Sequence, residues 1–379
     1  MKIKAAIVLF LLTLLSTASH AAGPPIPAPP AIDARAYVLL DYQTGAILAQ
    51  QNMDERLEPA SLTKIMTIYT VAAELKGGHA SLDDEVLVSE NAWRTQGSRM
   101  FIEVGKRVRL EDLMKGDIIQ SGNDASVAMA EHVSGSEQVF AELMNQNAKS
   151  LGMNGTHFTN STGLPDPEHY TTAHDLARLS TALIRNYPDV YKWFAFKEFV
   201  WNGIRQQNRN RLLFSDASVD GIKTGFTDNA GYCLAASAVR DGRRLIAVVM
   251  GTPEQKVRAA AAAALLGYGF KFTETRRLYA AREPVTRVKV WKGAVDTLGL
   301  GVAADAVVTV GRGRIQDLDA HVDVQSPVLA PVAAGQALGT LTVKLDGQEI
   351  IKRPLVAVET VEQSGLFGRL ADTVRLWFE

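Results

Sequence analysis

Cysteine is almost absent. Cys233 stands alone in 379 residues, which excludes an internal disulfide framework, a CxxC redox pair and a thiolate-rich metal site. An excess of one charge is missing too. The chain carries 40 Lys and Arg against 41 Asp and Glu, so it has no case for the basic face that nucleic-acid binding needs. Beyond the N-terminal segment no apolar run is long enough to span a bilayer. His79, His132, His157, His169, His174 and His321 show no HxxxH or other metal spacing, so neither a metal nor a cofactor is expected. What is present is an ordinary folded-protein composition, 47% hydrophobic and 21% charged, in a chain long enough for two domains.

The ends differ from the middle. Lys2 and Lys4 precede an apolar run from Ala5 to Leu15, then Ser19-His20-Ala21. That layout predicts a secretory signal peptide over residues 1–21, with an N-terminal anchor helix as the alternative. Its removal takes two lysines and no acid, so the mature charge is 38 − 41 = −3. Residues 22–32 hold Pro24, Pro25, Pro27, Pro29 and Pro30 and read as an extended linker. At the far end, residues 363–379 predict an amphipathic helix. Leu366, Phe367, Leu370, Val374, Trp377 and Phe378 share one arc, with Arg369, Asp372, Arg375 and Glu379 opposite and only Leu376 misplaced. Such a helix suits a membrane interface; docking on its own domain is the alternative. Ser364 and Gly365 read as a flexible start.

Between the ends, two β-rich runs, Arg35–Asp41 and Ala46–Gln51, flank the turn Tyr42-Gln43-Thr44-Gly45. Three more follow much later, Asp220–Thr227, Tyr232–Val239 and Arg244–Gly251, and an alanine-rich helix opens at Pro253. Strands at both ends of a long helical stretch predict an α+β domain over residues 33–275: one five-stranded antiparallel sheet with a helical insertion. Residues 276–362 are rich in valine and punctuated by glycine, and predict a small all-β domain of structural role.

Chemistry concentrates in three places. After Pro59 comes Ser61-Leu62-Thr63-Lys64-Ile65-Met66-Thr67-Ile68-Tyr69 on a helix that is apolar nearly all round, and Lys64 is the only charge between Glu58 and Glu74. A lysine buried there loses its proton more readily, because burial disfavours the charged form. Ser61 lies one turn earlier on the same face, so the pair reads as a nucleophile with its base. Backbone N–H groups at that terminus would meet an oxyanion. Ser-x-x-Lys alone is weak, since composition yields about one by chance in a chain of this size. The second place is Ser121-Gly122-Asn123, a break between two helices. The third is Lys223-Thr224-Gly225 on a strand, where alternation puts Lys223 and Gly225 on one face and a glycine admits close approach to the backbone.

The three in this order form the pattern of penicillin-recognising serine enzymes. Glu58-Pro59-Ala60-Ser61-Leu62-Thr63-Lys64-Ile65-Met66-Thr67, Gln120-Ser121-Gly122-Asn123-Asp124-Ala125 and Asp220-Gly221-Ile222-Lys223-Thr224-Gly225 resemble the serine-type D-alanyl-D-alanine carboxypeptidases, low-molecular-mass penicillin-binding proteins. The resemblance runs over nearly the whole mature chain. It implies an acyl-enzyme at Ser61, with Lys64 as base and Ser121 relaying a proton to the leaving amine. Asn123 would orient the peptide, and Lys223 would supply positive potential that depresses the Lys64 pKa. Thr224 would bind the terminal carboxylate with Arg258 and Arg209, beside Gly225, and the oxyanion would meet the N–H groups of Ser61 and Phe226. Peptidoglycan stem peptides would be substrates and β-lactams covalent inhibitors. The protein would work on the periplasmic side of the inner membrane, held there peripherally by the terminal helix. Phe226 departs from relatives with histidine at that position, and the segment before Ser121 looks short.

A D,D-endopeptidase would use the same machinery. A class A β-lactamase would need Ser-Asp-Asn and a Glu-x-x-Leu-Asn loop, which Asp166, Glu168 and Asp175 do not form. A non-catalytic wall-binding protein would not be expected to keep both Ser61 and Lys64. Cys233 reads as core filler, and Tyr268, Phe270 and Phe272 as packing at the domain junction.

Overall fold

The computed structural model describes residues 26–378; the signal-peptide segment 1–21 and the start of the proline-rich linker lie outside the described residues. Residues 26–32 carry no helix or strand.

The first hairpin is β1 (Ala36–Asp41) and β2 (Ile47–Gln51), joined by a turn in which Asp41 Oδ1 accepts the N–H groups of Gln43 and Thr44. The late meander is β3 (Val219–Thr227), β4 (Gly231–Arg240) and β5 (Arg243–Thr252). They combine in one five-stranded sheet of order β2-β1-β5-β4-β3, antiparallel throughout. The α+β reading therefore holds. β1 is buried along its whole length because it lies inside the sheet with helices on both faces.

The helical insertion covers one face. Its main elements are α1 (Thr63–Gly77), α2 (Leu110–Ile119), α3 (Asn123–Ser134), α4 (Glu137–Ser150) and α5 (Ala173–Asn186). α1 packs on α2, α3, α4 and α5, which explains its lack of a polar face. Helix α6 (Gln255–Phe272) covers the other face, starting two residues after the expected opening at Pro253. Cys233 is fully buried between these layers, and burial pushes its thiol up to about 11.

The chain then enters strand Thr273–Tyr279, which crosses the expected boundary at 275/276 and pairs with Ala306–Gly311. A six-stranded sheet completes the second, all-β domain. The junction is polar: Thr275 Oγ1 donates to Asp41 Oδ2 at 2.6 Å, and Arg243 Nε reaches the same oxygen at 2.9 Å. Tyr268 donates to the Pro27 carbonyl and Arg240 lies over the Phe270 ring; Tyr268, Phe270 and Phe272 pack with the first domain's sheet, and only the Phe270 and Phe272 carbonyls meet the second domain, at Arg312.

Helix α7 (Leu366–Arg375) follows the β domain. Its start is tied down rather than loose, since Ser364 N donates to Lys292 O at 2.9 Å and Asp372 Oδ2 accepts the Lys292 N–H at 2.6 Å. The polar side of the helix thus faces the domain. Leu376, off the apolar arc, is half-buried on that inner side, while Phe367, Trp377 and Phe378 are each more than four-fifths exposed.

Candidate active site

Ser61 sits in a short 3₁₀ turn, Ala60–Leu62, that runs directly into α1. Lys64 is fully buried on the first turn of that helix. Its Nζ lies 3.5 Å from Ser61 Oγ, 2.7 Å from Asn123 Oδ1 and 2.6 Å from the Thr162 carbonyl oxygen. Burial lowers the Lys64 pKa to about 8, with Arg209 adding to the effect and Asp117, Glu137 and Asp124 opposing it. Desolvation is thus the main cause of the lowering. Lys223 is itself pushed well down, by its own burial and then by Lys64.

The Thr162 carbonyl is a ligand that sequence reading missed. It belongs to the turn Asn160–Leu164, where Asn160 Oδ1 accepts the N–H groups of Thr162 and Gly163. A second missed support is His169. Its Nδ1 accepts the Thr159 N–H at 3.0 Å, so its Nε2 carries the proton and donates to Thr63 Oγ1 at 2.8 Å. Thr63 in turn donates to Ala60 O. This chain fixes the turn that presents Ser61. The only advance signals were an Asn-Ser-Thr-Gly turn sequence and an unassigned histidine.

Ser121 and Asn123 come from the break between α2 and α3. Ser121 has φ of +68°, a left-handed conformation unusual outside glycine. Asn123 is held by its own amide, which donates to Ser98 O, and by Nδ2, which donates to Gln96 O. Next to it, Asp124 is fully buried and accepts the N–H groups of Met100, Phe101 and Ile102. That carboxylate folds the loop 96–102 against the site, a role not read from sequence.

Strand β3 is the edge of its sheet, and it supplies the third group. Lys223 Nζ donates to Ser121 Oγ at 2.9 Å and to Thr224 O at 3.1 Å. On the same face, a Cβ at Gly225 would stand 3.0 Å from Pro59 O and 3.2 Å from Ser61 N, so a side chain there would crowd the Ser61 turn. Phe226 is half exposed and packs on Tyr232, the two rings tilted by 31° with centroids 4.3 Å apart. Arg258, from α6, is buried and donates to Gly225 O at 2.9 Å while lying over the Tyr232 ring. Arg209 Nε donates to Gln120 O at 2.9 Å.

All these groups meet at a cavity of about 510 Å³. Ser61, Ser121, Arg209, Thr224, Gly225, Phe226 and Arg258 line it, with Phe101 and Ile204 at its rim. Lys64, Asn123 and Lys223 lie just behind the wall: Lys64 reaches Ser61 and Lys223 reaches Ser121 by hydrogen bonds, and Asn123 bonds to Lys64. The residues of the three motifs, with Arg209, Phe226 and Arg258, therefore fall at one place. Among the described residues no cluster of metal-ligating side chains occurs, and no helix is long and apolar enough to cross a membrane. Asp166 and Glu168 lie on the outer loop, and Asp175 instead accepts hydrogen bonds from Gly155 and Thr156.

Comparison with known proteins agrees with this geometry. Residues 24–254 match the family model for D-alanyl-D-alanine carboxypeptidase, and residues 274–363 match that for the C-terminal domain of penicillin-binding protein 5. The chain is 44% identical to D-alanyl-D-alanine carboxypeptidase DacC of Escherichia coli (strain K12), over 92% of this chain and 89% of that relative. Penicillin-binding protein 5 from Haemophilus influenzae superposes with a TM-score of 0.84 at 40% identity, covering 89% of this chain and all of that one. Penicillin-binding protein D2 from Listeria monocytogenes, solved in an ampicillin-bound form, superposes with a TM-score of 0.59 at 30% identity, over 63% of this chain and 98% of that one. By fold, by site and by these likenesses, the chain belongs to the D-alanyl-D-alanine carboxypeptidase family of penicillin-binding proteins.

Proposed function

We propose that this carboxypeptidase removes the terminal D-alanine of peptidoglycan stem pentapeptides through an acyl-enzyme on Ser61. One observation carries the assignment of roles. A neutral amine has two N–H bonds and one lone pair. Asn123 Oδ1 and Thr162 O accept the two N–H groups of Lys64, which leaves the lone pair for the Ser61 hydroxyl proton. With its pKa near 8, a useful fraction of Lys64 is free base at neutral pH.

Ser61 Oγ attacks the carbonyl of the penultimate D-alanine as Lys64 takes its proton. The oxyanion is met by the N–H groups of Ser61 and Phe226. Lys223 donates to Ser121 Oγ, so the Ser121 hydroxyl passes its own proton to the leaving nitrogen as the C–N bond breaks and takes in exchange the proton that Lys64 received from Ser61, which returns Lys64 to its free base. Water then attacks the ester with Lys64 again as base, releasing the shortened peptide. Thr224, Arg258 and Arg209 hold the terminal carboxylate, and Asn123 and Gly225 accommodate the peptide along the edge of β3. β-Lactams acylate the same serine.

The reading extends to organisation and place. Residues 33–275 are the catalytic unit, and 276–362 a β-rich support. Residues 1–21 direct export, and 363–379 hold the protein peripherally on the periplasmic side of the inner membrane, through the exposed apolar side of α7. The decisive experiment is D-alanine release from a pentapeptide ending in D-Ala-D-Ala, comparing the protein with Ser61→Ala. Release that depends on Ser61 supports the reading. Adduct formation with a labelled penicillin but no release moves the substrate to cross-linked peptides. Neither release nor adduct ends it.

A further inference from the structure

Asp117 is a fully buried carboxylate for which the reaction above has no use. It lies on α2, which packs on both α1 and α3. Its Oδ1 contacts Ser126 Oγ on α3, and its Oδ2 is buried without a hydrogen-bond partner. Ser126 Oγ also lies 3.0 Å from the Gly122 carbonyl oxygen, just between Ser121 and Asn123. The Ser126 hydroxyl has one proton, which it shares between an ionised Asp117 and the Gly122 carbonyl. Asp117 is thus tied through Ser126 to the backbone between Ser121 and Asn123, and Asn123 Oδ1 accepts from Lys64.

The charges around it come from every neighbouring element. Lys64 projects from α1, Lys223 from β3 and Arg209 from the segment before β3; Asp124 and Glu137 begin α3 and α4. His169, linked to α1 through Thr63, is kept neutral by burial. Asp124 and Glu137 are offset by backbone amides, Asp124 by those of residues 100–102 and Glu137 by Ser161 N. Asp117 receives no backbone amide among the described residues, and its Oδ2 has no hydrogen-bond partner, so its charge is offset only by the Ser126 hydroxyl. Burial raises its pKa to about 6, against the pull of Lys64 and Lys223, so it is charged when Lys64 gives up its proton near 8.

We infer that Asp117 is a positioning residue for the reaction, a buried counter-charge whose ionised form holds the proton on Lys64 and so sets the pH at which the base becomes free. The inference rests on Lys64 being the base.

The test follows kcat/KM for D-alanine release from a pentapeptide ending in D-Ala-D-Ala, and the rate of acylation by a labelled penicillin, across pH. The full-length protein is compared with Asp117→Asn and Asp117→Leu. In both assays the ascending limb is expected to move down by about one pH unit, the scale of a unit charge acting within a protein, with the plateau at high pH kept. A purely structural role would lower the plateau and leave the limb in place. A limb that stays where it is in the folded Asn variant, or moves up, overturns the inference; that variant decides the matter if the Leu variant does not fold. A native protein that neither releases D-alanine nor takes up penicillin removes the site assignment and this inference with it.

Discussion

Gly163 lies against Ala60 so closely that a Cβ at position 163 would stand 1.8 Å from the Ala60 carbonyl oxygen. The contact joins the turn that offers Thr162 O to Lys64 with the turn that presents Ser61. Gly163 also has φ of +82°, where a side chain is strained whatever the space.

Gly163→Ala is therefore expected to separate these two turns. Acylation by a labelled penicillin should slow by about 100-fold or more, the usual scale for losing a positioned base, and the thermal midpoint should fall. Gly347→Ala is the control. It has φ of +78° with nothing within 4 Å, so it should cost about 1 kcal/mol and leave acylation unchanged.

Lys64→Met should abolish D-alanine release and at the same time change the pH dependence of stability. Lys64 titrates near 8 in the folded protein against 10.5 in the unfolded chain. The unfolded chain thus binds more protons between those values, and stability rises with pH across that window. The total is on the order of 3 kcal/mol. Denaturant midpoints of both proteins between pH 8 and 10.5 measure it, and the rise should be smaller in the variant by this amount.

His169 gives the opposite edge of the profile. Burial lowers its pKa from 6.5 to about 4, so the folded protein keeps it neutral while the unfolded chain takes up a proton. Stability from this group is complete above pH 6.5 and is lost as pH falls towards 4, by a few kcal/mol. Thermal midpoints should show this acid sensitivity, and His169→Gln should reduce it while lowering the midpoint at pH 7.

Phe367→Glu with Trp377→Glu should abolish co-sedimentation with lipid vesicles, because these side chains are 87% and 84% exposed and carry much of the apolar area of α7. Release of D-alanine from a soluble pentapeptide should be unchanged, since the helix is tied to Lys292 of the β domain and to the adjoining Gln363, away from the cavity lining. Persistent vesicle binding would remove the anchor assignment.

Much of this site was legible because its chemistry is written in short contiguous pieces. Ser61 and Lys64 are one helical turn apart, so their proximity follows from helix geometry alone. Lys223 and Gly225 alternate on a strand, and the close approach read from Gly225 occurs at the Ser61 turn. The five-stranded sheet was legible from alternation and turns, and the amphipathic end from its period. The all-apolar character of α1 announced a central helix before any contact was known.

Folding alone decided which distant groups would share one volume. Lys64 meets Asn123 at a separation of 59 residues and Thr162 at 98, and Lys223 meets Ser121 at 102. A backbone carbonyl such as Thr162 O has no side-chain letter to betray it, and the neutrality of His169 and the raised pKa of Asp117 depend on burial. That Arg209 and Lys223 both act on Lys64 likewise follows from three-dimensional proximity. Local order follows from neighbours along the chain; desolvation and charge coupling follow from neighbours in space, and those come into being only when the helices close over the sheet.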